Sequence, residues 1–243
     1  MKNMKLKNLI IASIAIAGVL AASSCKKDNA ADNGIDKSLL DGQWKCTVIL
    51  KNNGPVYSDP YILWDIDAAS NKATIYFYDY EDGDQITEGS FDLTDSQFIL
   101  KKGSTNINYK INYFDQKHIA LEETIGKDKY EYRLTNMNAI LVGKWEFTWK
   151  IGENNYSSQY YRLDEDGTGV RLTEEGAEGS IKIKWWVEPA KDDYFRFTFS
   201  IPGTNPLYEN TISIDDVDSD DALYGEDESD TYFYLTRMKN SIK

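Results

Sequence analysis

Leu39-Leu40-Asp41-Gly42-Gln43-Trp44 has a counterpart later in the chain, Ile140-Leu141-Val142-Gly143-Lys144-Trp145. The two tryptophans are 145 − 44 = 101 residues apart. Each is followed by a tyrosine-rich stretch carrying one arginine: Tyr130-Glu131-Tyr132-Arg133-Leu134-Thr135, and Tyr232-Phe233-Tyr234-Leu235-Thr236-Arg237. The offsets from tryptophan to arginine are 133 − 44 = 89 and 237 − 145 = 92. A module opened by Gly-x-Trp and closed by an arginine-bearing strand is thus present twice.

Between these anchors the chain is a series of short aromatic or alternating runs separated by turn residues. The pattern predicts strands at 43–50, 60–66, 72–80, 85–92, 96–101, 106–114, 117–122 and 129–135 in the first module. In the second it predicts 144–151, 158–164, 168–173, 180–188, 193–200, 208–215, 221–225 and 230–237. Asn52-Asn53-Gly54-Pro55, Lys102-Gly103 and Asp166-Gly167 mark turns, because Gly and Asn tolerate positive φ. Ile181, Ile183, Trp185 and Val187 alternate with Lys182, Lys184, Trp186 and Glu188, as in a strand wet on one side. No stretch holds a 3.6-residue apolar period, so helices are at most short. The fold class is all-β. Eight sequential strands with tight turns in each half favour two consecutive small up-and-down antiparallel barrels, since closure removes sticky edges. A pair of β-sandwiches uses the same alternation and is the competing architecture.

Gly-x-Trp on the first strand with an arginine late in the last resembles the lipocalin signature. The likeness is to the small lipocalin-like domains of bacterial lipoproteins and covers most of residues 38–239. It implies that Arg133 packs across Trp44, and Arg237 across Trp145, each pair closing one end of a barrel. Both modules are shorter than animal lipocalins and lack a clear C-terminal helix. Independently of the resemblance, a cation on an indole face contributes ~0.5–2 kcal/mol, and burial of the ring contributes more.

The N-terminus reads as an address. Lys2, Lys5 and Lys7 precede an uncharged run whose apolar heart, Leu9 to Leu20, is shorter than the ~20 residues of a spanning helix. It ends Leu20-Ala21-Ala22-Ser23-Ser24-Cys25, which resembles a bacterial lipobox although Ala22 stands where leucine is usual. The resemblance implies cleavage before Cys25, its acylation, and anchoring in a lipid bilayer by several chains. Lys26 is not the aspartate that retains such proteins at the inner membrane, so the expected location is the outer membrane of a Gram-negative envelope. Residues 1–24 are then signal peptide, 25–37 a polar tether, 38–137 the first module and 138–243 the second.

Composition narrows the function. The net charge of −13 becomes −13 − 3 = −16 without the three leader lysines, which opposes nucleic acid as a partner. With Cys25 acylated, Cys46 has no disulfide partner; two positions after Trp44 in a strand, it is expected to be buried and inert. His118 is the only histidine, so neither a multi-histidine metal site nor a Ser-His-Asp triad with a spare base can be assembled. No cofactor is implied, and the reading is non-catalytic. Asp216, Asp218 and Asp220 have the one-three-five spacing of a calcium loop, but Asp221 stands where glycine is needed, and a solvated hairpin tip is the plainer reading.

Exposed aromatics are the remaining resource. Tyr76, Tyr78, Tyr80 and Trp186 fall opposite the predicted core faces, where rings stack on sugars or pack between modules. Two functions follow: a barrel holding a small apolar or amphipathic ligand at its open end, or an envelope module binding glycan or protein on outer aromatic faces around filled barrels. The interior decides between them, because a drug-sized ligand takes a cavity of ~300 Å³ or more.

Overall fold

The computed structural model describes residues 35–57, 62–78, 85–151, 155–174, 176–189, 195–204 and 208–238. Cys25 and Tyr80 lie outside them, as do residues 1–24 of the expected signal and 25–34 of the expected tether. The first unit begins with a 3-10 turn, Lys37–Leu40, capped by Asp36, whose side chain accepts from the Ser38 amide. Strands β1 (Gly42–Lys51), β2 (Gly54–Tyr57), β3 (Ile62–Asp67), β4 (Lys72–Phe77), β5 (Gln85–Leu93), β6 (Gln97–Lys102), β7 (Thr105–Phe114), β8 (His118–Ile125) and β9 (Asp128–Asn136) follow. A five-residue helix α1 (Met137–Leu141) leads to β10 (Gly143–Ile151), β11 (Asn155–Leu163), β12 (Thr168–Leu172), β13 (Glu178–Pro189), β14 (Phe195–Ile201), β15 (Tyr208–Ser219), β16 (Ala222–Asp227) and β17 (Tyr232–Arg237).

Every neighbouring pair is antiparallel, and both sheets close. In the first, β1 pairs β9 with Trp44 opposite Asn136 and Lys51 opposite Tyr130. In the second, β10 pairs β17 with Trp145 opposite Arg237 and Trp149 opposite Phe233. Closure rules out the sandwich: β1 and β3–β9 make one eight-stranded barrel, β10–β17 the other. The extra strand β2 was not expected from the sequence. It folds back on β1 through Asn52 and Asn53, at φ 50° and 67°. Pro55, a turn residue by type, is tolerated there because β2 sits at an edge, where a missing N–H disrupts no central ladder.

Period-two alternation drives the rings inward. Trp44, Trp64, Phe91, Phe98, Tyr109 and Tyr132 fill the first barrel; Trp145, Phe147, Tyr161, Trp185, Phe197 and Phe199 are among those filling the second. Trp64 meets Phe98 and Tyr109 edge-on at 5.6 and 5.2 Å. In the second barrel, Phe147 meets Phe197 edge-on at 5.7 Å.

The two barrels pack against each other. β3 is buried on both faces: Ile62, Trp64 and Ile66 face the first interior, while Leu63, 1% exposed, joins the cluster of Met137, Ile140 and Leu141 on the second. Tyr78 is buried in the same cluster, with Tyr76 packed against it and stacked on Tyr78 at 6.4 Å. Neither ring is therefore a free outer surface; α1 is so short that it holds the second barrel against this face. Polar contacts accompany the packing. Lys45, buried on the outside of β1, donates to the Asp215 carbonyl, and Lys117 and His118 reach Asp220.

Candidate functional site

The Gly-x-Trp stretches are built the same way. Each indole N–H donates to the carbonyl four residues earlier, Trp44 to Leu40 at 2.8 Å and Trp145 to Leu141 at 2.6 Å. That bond ties the first strand to the helical turn before it and satisfies a carbonyl left over at the turn's end. Gly42 and Gly143 have φ of 120° and 137°, outside the range of other residues. A Cβ would also crowd Asn138 Oδ1 at Gly42 and collide with Arg237 Nη1 at Gly143.

The closing groups differ. Arg237 lies over Trp145, its guanidinium carbon 4.3 Å from the ring centre. Its nitrogens donate to the carbonyls of Ile140, Val142 and Asp220 at 2.6, 2.9 and 3.0 Å, and it pairs with Asp221. The structure brings Trp145 and Arg237 together; it does not bring Trp44 and Arg133 together. Arg133 points out of the barrel and pairs with Glu131 at 2.9 Å, because its place on β9 is opposite Val48, not Trp44. The residue opposite Trp44 is Asn136, at an offset of 136 − 44 = 92, the same as for Arg237. Asn136 Nδ2 donates to the Asp41 carbonyl at 3.4 Å, while Oδ1 caps α1 by accepting from Ala139. Asn138 Oδ1 accepts from the Gln43 amide. The three-residue mismatch between the two arginine offsets was the signal that Arg133 is not the counterpart.

At the opposite end of the second barrel lies a mouth of about 230 Å³. Phe147, Tyr161 and Phe199 form its floor; Trp149, Tyr208 and Phe233 its apolar wall. Trp149 and Phe233 meet at 5.7 Å and a 34° tilt. Gln159, Asn210, Asp227 and Thr231 supply polar groups. The Tyr161 hydroxyl donates to Gln159 Oε1, and burial pushes that hydroxyl's pKa up to about 12. The matching end of the first barrel is filled instead: Tyr109, Tyr130 and Tyr132 are buried there around the buried Glu123, and Tyr132 donates to it at 3.5 Å.

A second cavity, about 440 Å³, opens between the barrels at their Gly-x-Trp ends. The 3-10 turn, the start of α1, the β11–β12 turn and Trp185 to Val187 line it. Trp186 is 37% exposed there, whereas Trp185 is buried with its indole donating to the carbonyls of Asp164 and Thr168.

The other sequence candidates are placed as follows. Asp216 and Asp218 lie on β15 and Asp220 in the turn after it, and no three His, Cys, Asp or Glu among the described residues are grouped to hold a metal. Asp220 bridges instead to His118 Nε2 at 2.8 Å and Lys117 at 3.3 Å across the junction. Cys46 is wholly buried, and that burial pushes its thiol up to about 12, so no thiolate forms near neutral pH.

No family model and no curated protein matches this chain. Among solved structures, a "putative outer membrane protein" of Bacteroides fragilis is similar at 10% identity and a TM-score of 0.25, over 83% of this chain and 99% of that one. At that score the fold rests on the strand pairing described above, not on the likeness.

Proposed function

We propose that the protein is a non-catalytic, lipid-anchored component of a bacterial outer membrane whose second barrel binds a small amphipathic ligand at its open mouth. The aromatic mouth is the observation that carries this reading. It joins rings that offer apolar contact to a few convergent polar groups, the usual composition of a small-molecule site. At about 230 Å³ it falls below the ~300 Å³ lower bound for drug-sized ligands, so the occupant is about one ring in size or inserts one ring of a larger molecule. The first barrel has a scaffold role in this reading, because tyrosines fill the matching end. Anchoring through acylated Cys25 rests on the leader and lipobox-like residues.

Calorimetric titration of the full chain with indole and phenol tests the mouth. Binding is expected, and Asn210→Trp, which places a large ring in the opening, is expected to weaken it at least about tenfold. Binding that survives this variant unchanged puts the ligand elsewhere. Mass spectrometry of membrane fractions tests the anchor, since Cys25→Ser should lose the acyl chains.

A further inference from the structure

We infer that the cleft between the barrels is a second binding site, for a small organic cation that carries its ammonium group on an apolar body. This site is separate from the barrel mouth and stands whether or not the mouth binds. At about 440 Å³ the cleft is within the usual ligand range, and it lies where two units meet, a common place for such sites.

Its lining is one-sided in charge. Asp41 comes from the first barrel and Glu165 and Asp166 from the β11–β12 turn of the second, while no Lys, Arg or His among the described residues lines it. Lys117, beside the lining residue Gln116, is engaged by Asp220 on the other side of the junction. Lys184, two residues from Trp186 on the same strand, is outside the lining. Hydrogen bonds from Thr168 hold the Asp166 carboxyl below its ordinary range, so it is charged at neutral pH. Behind Asp41, burial followed by the charges of Asp41 and Asp67 raises the carboxyl of Asp65. Among the described residues no cation forms an ion pair with Asp41, Glu165 or Asp166, so the negative charge of the cleft is in excess there.

The shape of the cleft selects among cations. The carboxylates do not converge as metal ligands do, so a bare divalent ion gains no coordination shell. Trp186 presents a partly exposed indole, and Val187 and Leu39 add aliphatic surface. An ammonium group on a hydrocarbon chain uses both features: the charge meets the carboxylates or the indole face, and the methylenes cover apolar wall. A neutral ligand of the same size leaves the charges unused, and an anion is repelled.

Putrescine and butanediol are a matched pair, equal in length and differing in charge. Titrated into the full chain at moderate ionic strength, putrescine is expected to bind at least about tenfold more tightly than butanediol. Glu165→Gln and Trp186→Ala should each weaken putrescine about threefold to tenfold with the unfolding midpoint unchanged. Asp41→Asn keeps the oxygen that accepts from Ala68 and should weaken it similarly. Asn210→Trp in the barrel mouth should leave it alone. Equal binding of the two compounds overturns the proposal. So does putrescine binding that is unaffected in Asp41→Asn/Glu165→Gln, which would place the amine on the acidic surface at large.

Discussion

The two barrels start from the same device and finish it differently. In both, a glycine at positive φ and an indole bonded back to a helical turn fix the first strand. In the second, a guanidinium closes the end; in the first, two asparagine amides do. The carbonyls engaged at the two turns differ in the same way. Before β1, the Ser38 carbonyl accepts from the Asp41 amide, the Leu40 carbonyl from Trp44 and the Asp41 carbonyl from Asn136. Helix α1 leaves the carbonyls of Ile140, Leu141 and Val142, and three donors are needed: Trp145 takes one and Arg237 two. Glycine and tryptophan are thus the constant parts, and the closing residue is the one whose donors meet the carbonyls at the end of the preceding turn. The far ends differ too. Tyrosines fill that of the first barrel, and the second keeps a mouth.

Removing the constant part tests this most severely. Trp44→Ala and Trp145→Ala should each cost ~3–5 kcal/mol, the usual loss for a buried large ring, out of a typical total of ~5–15. Denaturant unfolding followed by circular dichroism should show both midpoints falling. A large fall for one and none for the other would mean that the shared geometry is not shared in energy.

The variable part should separate the barrels. Arg237→Ala removes a charged donor from three carbonyls and is expected to cost ~1.5–3 kcal/mol. Asn136→Ala, its counterpart, loses a helix cap and one carbonyl bond, for ~0.5–2 kcal/mol. Arg133→Ala should fall within about 0.5 kcal/mol, because its pair with Glu131 is at the surface. If Arg133→Ala proved as costly as Arg237→Ala, a cation would be required in both barrels and the account of the turns would fail.

The residues also show what a sequence can and cannot give. Alternation placed the strands, and repetition of Gly-x-Trp marked both barrels, because backbone conformation and the partition of rings between core and water are local matters. Arg133 misled because residue type suggested an equivalence that strand register denies; counting to 92 would have pointed to Asn136. Tyr76 and Tyr78 lie on the outside of their barrel, as alternation says, yet Tyr78 is buried by the neighbouring barrel. A period-two pattern distinguishes the faces of a strand but does not say what covers the outer one. Both cavities were beyond reach for a similar reason: the mouth joins residues from six strands and a turn, and the cleft exists only because two units meet.

The junction gives the smallest predicted effect, and one with a direction in pH. Asp115, in the β7–β8 turn beside His118, is raised by partial burial. The Tyr113 hydroxyl and the amides of His118 and Lys117 more than offset this, so its carboxyl lies below the ordinary 3.8. A depressed folded value means that the turn's contribution is present above the unfolded value and is lost as pH falls through the folded one. With the Asp115 side chain 44% exposed, solvent screening limits the contribution to no more than about 1 kcal/mol. Asp115→Asn should therefore lower the unfolding midpoint slightly at about pH 7 and hardly at all at about pH 3, where the parent carboxyl is also taking up its proton. Because Lys117 of that turn and His118 at the start of β8 hold Asp220 of the second barrel, the same loss should loosen the junction. Amide protection at Asp220 and Asp221, corrected for the intrinsic pH dependence of exchange, that falls on acidification in the parent, and less so in Asp115→Asn, would tie the turn to the junction. Protection that falls equally in both would confine the effect of Asp115 to its own barrel.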